Sequence, residues 1–266
     1  MAPKTKSQGT HTHPALYNSS CISENTEEDQ NSIEPYISSQ LRDLACTADP
    51  NGGRCLITRR GTPIDASRLV AQVTEDDILA KLKYVWMVAG YFNVDTRYNI
   101  LFLRVDWHQL FDQKQWMLVP QIHILRELKR IYLVEGHKSV NLAEVFTSSI
   151  YMYYLLPAPT MQEYICRFPE EDTHHAPPYP YLGALPSHVR PHFVVFNAGL
   201  KLQALGGVKF QLLDMMRSIV PRLDEAVEML LIIESLYRMW TEVEVPPKRP
   251  KRRRVESPEF SSIHTG

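Results

Sequence analysis

The sequence predicts a mixed α+β fold in which strands and helices alternate along the middle of the chain and helices follow at its end. Three short apolar runs have the length of strands: residues 98–105, 116–120 and 150–157. Residues 75–90 and 207–241 instead carry apolar side chains at helical spacing, and Pro221 predicts a break between two helices. The chain has 266 residues, of which 44% are hydrophobic, so it can form a packed core.

In chain order, the remaining elements follow from turn residues and apolar patterns. PNGG predicts a turn near residue 50, and the short runs CLIT and SRLVA on either side of a GTP turn predict strands. The residues after 105 predict a short helix from Asp106 to Lys114, with Asp106 as its N-cap. Further predictions are a helix within residues 121–136, a long irregular loop at 169–191 and a strand at 192–199.

Composition and charge exclude several classes of protein. The net charge is −1, so any attraction to nucleic acid must come from a local patch. The four cysteines form no C-x-x-C pair, which argues against a zinc ribbon and a disulfide framework. The first residues lack an apolar signal segment, and no run of about 18 apolar residues predicts a membrane span. We therefore expect an intracellular protein with no membrane partner.

The composition divides the chain into four parts. The first part is polar and poor in branched apolar residues, so it cannot offset the entropy of ordering. The expected parts are a disordered segment (1–40), the main mixed domain (41–204), a C-terminal helical region (205–243) and a basic disordered tail (244–266).

The basic tail carries six Lys and Arg residues in seven positions, flanked by prolines. These residues are Lys248, Arg249, Lys251, Arg252, Arg253 and Arg254. A compact run of this kind is typical of a nuclear import signal, so it predicts a nuclear import receptor as a partner and a nuclear location. A solvated basic tail with no receptor is the alternative.

Two polar side chains in the middle of the chain suggest a site for phosphodiester hydrolysis. One-metal hydrolysis needs a base, a cation and a residue that holds the base in position. A β-hairpin followed by a helix can supply them as a His on the first strand, an Asn on the second and a metal-binding His on the helix. Here Asn99 opens the second strand and His108 lies on the helix. His108 shares a helix face with Asp112, four residues later, and does not share one with Asp106.

The stretch 95-DTRYNILFLRVDWHQLFDQKQWMLVP-120 resembles the HNH nuclease-type domains of basidiomycete fungi. Their pattern is approximately N-x-x-x-L-R-x-D-x-H-x-x-F-D-x-x-x-W-x-L-V-P. The upstream RCLITRRGTPIDASRLVAQVT and the downstream PHFVVFNAGLKL resemble the same family, so that the similarity covers about residues 54–202. The resemblance implies a ββα-metal hairpin-helix core within the larger domain and, where the motif is intact, metal-dependent cleavage of DNA.

Carried onto this chain, the resemblance gives Asn99 the place of the middle Asn and His108 the place of the metal-binding His. The first His, the general base, is replaced by Arg68 in 66-ASRLV-70. A guanidinium stays charged near pH 7 and cannot take a proton from water, and it repels a metal ion. Arg68 can instead contact a phosphate. Mg, Mn or Zn is expected as a cofactor only if the protein is active, and otherwise none.

The sequence offers no replacement for the missing base. Asp65 precedes Arg68 by three positions, so strand alternation places it on the opposite face. Neither His123 nor His137 has a spacing that brings it to the hairpin. Four other histidines lie in or beside a Pro-rich loop with irregular spacing, which favours loop composition over a metal site: His174, His175, His188 and His192.

Three functions therefore remain open. The leading interpretation is a degenerate HNH-like protein with weak or no cleavage that retains binding of DNA or of a protein partner. The second is an active metal-dependent endonuclease with a displaced base. The third is a nuclear protein-interaction module in which the C-terminal helices form the contact surface. Structural roles for Asn99, His108 and Arg68 are the alternatives at each position, and the sequence does not determine the oligomeric state.

Overall fold

The computed structural model describes residues 36–90, 92–135, 140–169 and 174–247. They belong to one compact unit, Glu34–Gly266. Nearly all of the predicted disordered segment (1–40) lies outside the described residues. All six basic residues predicted for nuclear import also lie outside them.

The described residues form a mixed α+β fold, which confirms the predicted class. The helices are α1 (Ser39–Ala48), α2 (Asp76–Val85), α3 (Val105–Asp112), α4 (Ile122–Arg130), α5 (Leu142–Val145), α6 (Pro191–Ala204), α7 (Phe210–Ile219) and α8 (Leu223–Glu242). The strands are β1 (Ile64–Arg68), β2 (Ile100–Arg104), β3 (Trp116–Pro120), β4 (Tyr151–Pro157), β5 (Ile165–Cys166), β6 (His174–His175) and β7 (Leu185–Ser187). A 3-10 turn, Arg97–Asn99, precedes β2, and a π-helical turn, Ile131–Glu135, follows α4.

All three sheets are small and antiparallel. β1 pairs with β2, β4 lies between β3 and β7, and β5 pairs with β6. In the first pair Ile64 lies opposite Arg104 and Arg68 lies opposite Ile100. β3 is buried at every position, in agreement with its uninterrupted apolar sequence.

The segment CLIT (55–58), predicted as a strand, forms a tight turn instead. The Arg59 amide donates to the Cys55 carbonyl at 2.8 Å, and the Cys55 amide donates to the Arg60 carbonyl at 2.9 Å. The Leu56 amide also donates to the Phe102 carbonyl at 2.9 Å, which fixes the turn beside β2. This turn buries its apolar side chains and pairs most of these backbone groups within itself. The alternation of apolar and polar residues in the sequence does not distinguish such a turn from a short strand.

The segment HFVVFNAG (192–199), predicted as a strand, is the first part of helix α6. Every residue from Pro191 to Gly199 is buried, because α6 packs against β3 on one side and α8 on the other. A helix surrounded by the core has no polar face, so its sequence resembles that of a buried strand. Pro191 at the first helical position is the signal that favours the helix.

Helix α6 also carries a buried lysine. Lys201 is 3% exposed, and its Nζ donates to the Trp116 carbonyl at 2.9 Å while lying 3.1 Å from the centre of the Phe111 ring. Burial lowers the pKa of Lys201 well below its ordinary value. The side chain therefore ties α6 to both β3 and α3.

The C-terminal helices share the core of the preceding residues. Helix α8 packs against α6, α7, α4 and α2, and Pro221 lies between α7 and α8 as predicted. Trp86, after α2, lies edge-on to Trp240 of α8 with ring centres 5.5 Å apart. The packing is therefore continuous across the predicted boundary between residues 204 and 205. No helix in the described ranges is both long enough and apolar enough to cross a membrane.

Substitution of Gly199 by Ala should destabilise the fold where α6 crosses α8. A methyl group on Gly199 would overlap the Tyr237 side chain, so the two helices could not keep their separation. We expect the free energy of unfolding to fall by about 1–3 kcal/mol, as is typical of overpacking. Urea denaturation followed by circular dichroism measures it.

The matched control is Gly61→Ala, because a methyl group at Gly61 meets no atom within 4 Å. This variant should unfold within about 0.5 kcal/mol of the natural protein, as surface substitutions usually do. Equal stabilities of the two variants would show that the helix crossing does not depend on glycine.

Candidate functional site

The candidate site is the hairpin of β1 and β2 with helix α3, which begins at Val105 directly after β2. Side chains of β2 alternate between two apolar clusters. Ile100 and Phe102 pack on α1, whereas Leu101 and Leu103 face the main core, which includes residues of α3. The hairpin therefore lies between α1 and α3, and each β1 side chain faces one or the other.

His108 lies on α3 between two carboxylates. Its Nδ1 is 3.2 Å from Asp65 Oδ2 on β1, and its Nε2 is 3.5 Å from Asp112 Oδ2 one helical turn later. The His108 side chain is 24% exposed, and both carboxylates are more exposed than the imidazole. The sequence predicted the neighbour Asp112 from helical spacing and missed Asp65. Strand alternation already placed Asp65 on the face opposite Arg68, and that face is the one covered by α3.

The sequence predicted Asp106 as the N-cap of α3. The helix instead begins one residue earlier than predicted, at Val105, and its N-cap is Arg104. The Asp106 carboxylate pairs with Arg104 at 2.9 Å and accepts a hydrogen bond from the Trp107 amide at 2.9 Å. The negative charge in the first turn still favours the helix dipole. Asp106 therefore supports the start of α3 and does not contact His108.

Asn99 is fully buried and joins the two ends of the connection between β1 and β2. Its Oδ1 accepts a hydrogen bond from the Val70 amide, and its Nδ2 donates to the carbonyls of Val70 and Val94, each at 2.9 Å. The amide thus uses its acceptor and both donors on the backbone. This side chain positions the loop that follows β1.

Arg68 ends β1 and is 5% exposed. Its Nε donates to Asp95 Oδ1 at 2.9 Å, and its Nη2 lies 2.8 Å from the same oxygen. Opposite residues of an antiparallel pair point to one side, so Arg68 shares the α1 side of the hairpin with Ile100. His108 is on the other side. The structure therefore brings Asp65 and Asp112 to His108 and places Arg68 elsewhere, with its charge already paired.

The donors around His108 do not fit a single metal ion in this arrangement. Asp65 and Asp112 approach different nitrogens of the ring, whereas a metal ligand offers one nitrogen and its co-ligands must converge beside it. Within the part of the chain that the structure describes, no group of three His, Cys, Asp or Glu side chains is arranged to hold a metal.

The other histidines considered from the sequence lie apart from His108. His188 is 1% exposed, with Nδ1 3.5 Å from Asp49 Oδ1. His192 is 4% exposed and contacts the Trp86 ring, with centres 4.7 Å apart. Burial lowers the pKa of His192 to about 3, so it is neutral near pH 7. His174 and His175 form strand β6.

Comparison of the chain with protein-family models, with curated protein sequences and with solved structures gives no match.

Substitution of Asn99 by Ala should destabilise the hairpin strongly. It leaves one backbone N–H and two carbonyls without their partner in a buried position, at about 1–3 kcal/mol for each unsatisfied group. We expect the free energy of unfolding to fall by about 3 kcal/mol or more. Urea denaturation measures the loss, and hydrogen exchange of the Val70 amide locates it.

Asn93→Ala is the control, because the exposed Asn93 side chain bonds only to the backbone of Asp95, two residues away. It should cost about 1 kcal/mol or less. Slow exchange of the Val70 amide in Asn99→Ala would contradict the role of Asn99 as a clamp.

Proposed function

We propose that this chain is a ββα-metal (HNH-like) domain protein that binds DNA without hydrolysing it. The observation that carries the proposal is Arg68: where the resemblance expects the general base, there is a buried guanidinium bound to Asp95. The order β1, β2, α3, with Asn99 before β2 and His108 on α3, supports the resemblance. A base contributes about 10²–10⁴-fold to such a reaction, so its loss leaves a poor enzyme.

Retained DNA contact is supported by unpaired cations near the hairpin. Arg54 and Arg59 lie on the turn that is hydrogen-bonded to β2, and neither pairs with a carboxylate among the described residues. The Arg54 guanidinium lies 5.9 Å from the centre of the Phe168 ring, which is 42% exposed. Cations interleaved with an exposed aromatic ring suit a phosphate backbone with unstacked bases. The paired Arg68 is less suited to that contact.

An active endonuclease is the second proposal, and the position of Asp65 favours it. Its carboxylate is 3.2 Å from His108 Nδ1, close enough to share a water molecule or proton with the imidazole. In this alternative Asp65 is the displaced base. It is 44% exposed at its side chain, so water reaches it.

A protein-interaction module is the third proposal, favoured by a groove of about 460 Å³ between α4 and α8. Leu133 and Leu231, which line it, are 63% and 51% exposed. Deletion of residues 205–241 does not isolate this surface, because the deletion removes core side chains such as Trp240.

Incubation of the protein with supercoiled plasmid and Mg²⁺, Mn²⁺ or Zn²⁺ tests the leading proposal. We expect no nicking above that of His108→Ala, because Arg68 occupies the position at which the resemblance places the general base. Fluorescence anisotropy of a labelled duplex should show binding in the same samples, weakening as salt rises because phosphate contacts release counterions.

His123→Ala is the matched control, since His123 is exposed on α4 and far along the chain from the hairpin. Nicking by the natural protein and by His123→Ala that disappears in His108→Ala would refute the non-cleaving proposal. Loss of nicking in Asp65→Asn as well would establish Asp65 as the displaced base. Absence of duplex binding would remove the DNA part of the proposal.

We also propose nuclear import through the basic tail, whose residues lie outside those the structure describes. Arg252, Arg253 and Arg254 changed together to Ala should leave a tandem fluorescent fusion in the cytoplasm, because the receptor-binding charge is lost. Fluorescence microscopy of living cells measures the nuclear fraction.

The matched control changes three solvent-accessible arginines on or beside the C-terminal helices to Ala: Arg217, Arg222 and Arg238. This variant removes the same charge and should remain nuclear. An unchanged nuclear signal in the tail variant would refute import by this segment.

A further inference from the structure

A cavity of about 380 Å³ lies beside the loop that Asn99 holds. Four of its twelve lining residues are Phe, Tyr or Trp, and its polar groups come from the loop before β2 and from the start of α6. Its lining includes Trp86, Phe92, Asp95, Tyr98, Arg190 and His192. This volume is within the usual range for small-molecule sites.

Three nitrogen atoms of residues that line this cavity are buried and have no hydrogen-bond partner among the described residues. They are Trp86 Nε1, Arg190 Nε and His192 Nδ1. Trp86 is 1% exposed and His192 is 4% exposed. Buried polar groups normally have partners, and leaving one unpaired is unfavourable. A guanidinium is a charged donor, whereas the His192 imidazole is neutral near pH 7, so Arg190 is the strongest donor of the three.

The charges around the cavity favour an anion. The Arg190 guanidinium lies over the Tyr98 ring, 3.9 Å from its centre, and it pairs with no carboxylate among the described residues. Arg97 donates to the Tyr98 hydroxyl at 2.7 Å and, with Arg190, lowers the pKa of Tyr98. Asp95 is the carboxylate on the cavity wall, and Arg68 compensates its charge.

The shape of the walls favours a flat body. The Trp86 ring is edge-on to the Phe92 ring, with centres 5.6 Å apart, and edge-on to the Phe193 ring at 5.3 Å. Tyr98 is stacked with Arg190 at the polar side. Aromatic walls of this kind bind planar apolar groups by stacked or edge-on contacts.

We propose that this cavity binds a small planar molecule that carries one oxyanion. The oxyanion lies against the Arg190 guanidinium, and the planar group lies against the partly exposed Phe92 and Tyr98 side chains. Both an aromatic carboxylate and a nucleotide have this chemistry. This ligand site can be tested independently of the proposed DNA binding, because it uses none of the side chains around His108.

Calorimetric titration of the full chain with four probes tests the site: benzoate, thymidine 5′-monophosphate, and their neutral counterparts benzamide and thymidine. We expect saturable binding of at least one of the two anions and binding at least about tenfold weaker for its neutral counterpart, as charge-assisted hydrogen bonds imply. Binding of benzoate would indicate a carboxylate ligand, and binding of the nucleotide would indicate a phosphate ligand.

Arg190→Gln should weaken binding of the anion by about tenfold or more, and Arg190→Lys should weaken it less because the charge remains. Arg217→Gln, on the surface of α7, is the matched control and should bind as the natural protein does. Melting followed by circular dichroism verifies that each variant is folded.

Ala143→Phe provides a second variant that keeps Arg190 and fills the cavity from α5. It should abolish binding. Failure of both anions to bind, equal binding of anion and neutral counterpart, or unchanged binding in folded Arg190→Gln or Ala143→Phe would each overturn the proposal.

Discussion

The side-chain amide of Asn99 makes three hydrogen bonds, one accepted and two donated, that join the two ends of the connection between β1 and β2. The geometry of the candidate site depends on them. The connection between β1 and β2 contains a whole helix, α2, so its closure costs conformational entropy that other interactions must offset. Asn99 joins Val70 at the beginning of this connection to Val94 near its end. Because all three backbone groups are buried with it, the amide has no competition from water, and it fixes where the residues beside Val94 lie.

The residue after Val94 is Asp95, so the clamp also determines the environment of Arg68. With Asp95 held at the end of β1, an arginine at position 68 has a carboxylate within 2.9 Å, and this pairing offsets part of the cost of burying its charge. An imidazole at the same place would face α1 and not His108, because strand alternation separates the two sides of the hairpin. Position 68 therefore differs from the HNH pattern in two ways. Its side chain faces away from His108, and that side chain is a guanidinium and not an imidazole.

Much of the fold was predictable from local sequence, and the site was predictable only in part. The continuous apolar runs predicted β3 and β4, and Pro221 predicted the break between α7 and α8, because these signals lie within each element. Helix α6 was predicted as a strand since its burial on all sides removes the helical period. The contact of Asp65 with His108 and that of Arg68 with Asp95 join residues far apart in sequence, 43 and 27 positions, so no local pattern encodes them.

The pair of Arg68 and Asp95 also connects the hairpin to the aromatic cavity, since the Asp95 side chain lies on the cavity wall. An unpaired carboxylate there would oppose any anion that approached Arg190, at a cost that grows as the cavity excludes water. Arg68 removes that cost by binding Asp95 from the hairpin side. Among the described residues on the cavity wall, Arg190 then remains the charged side chain without a carboxylate partner.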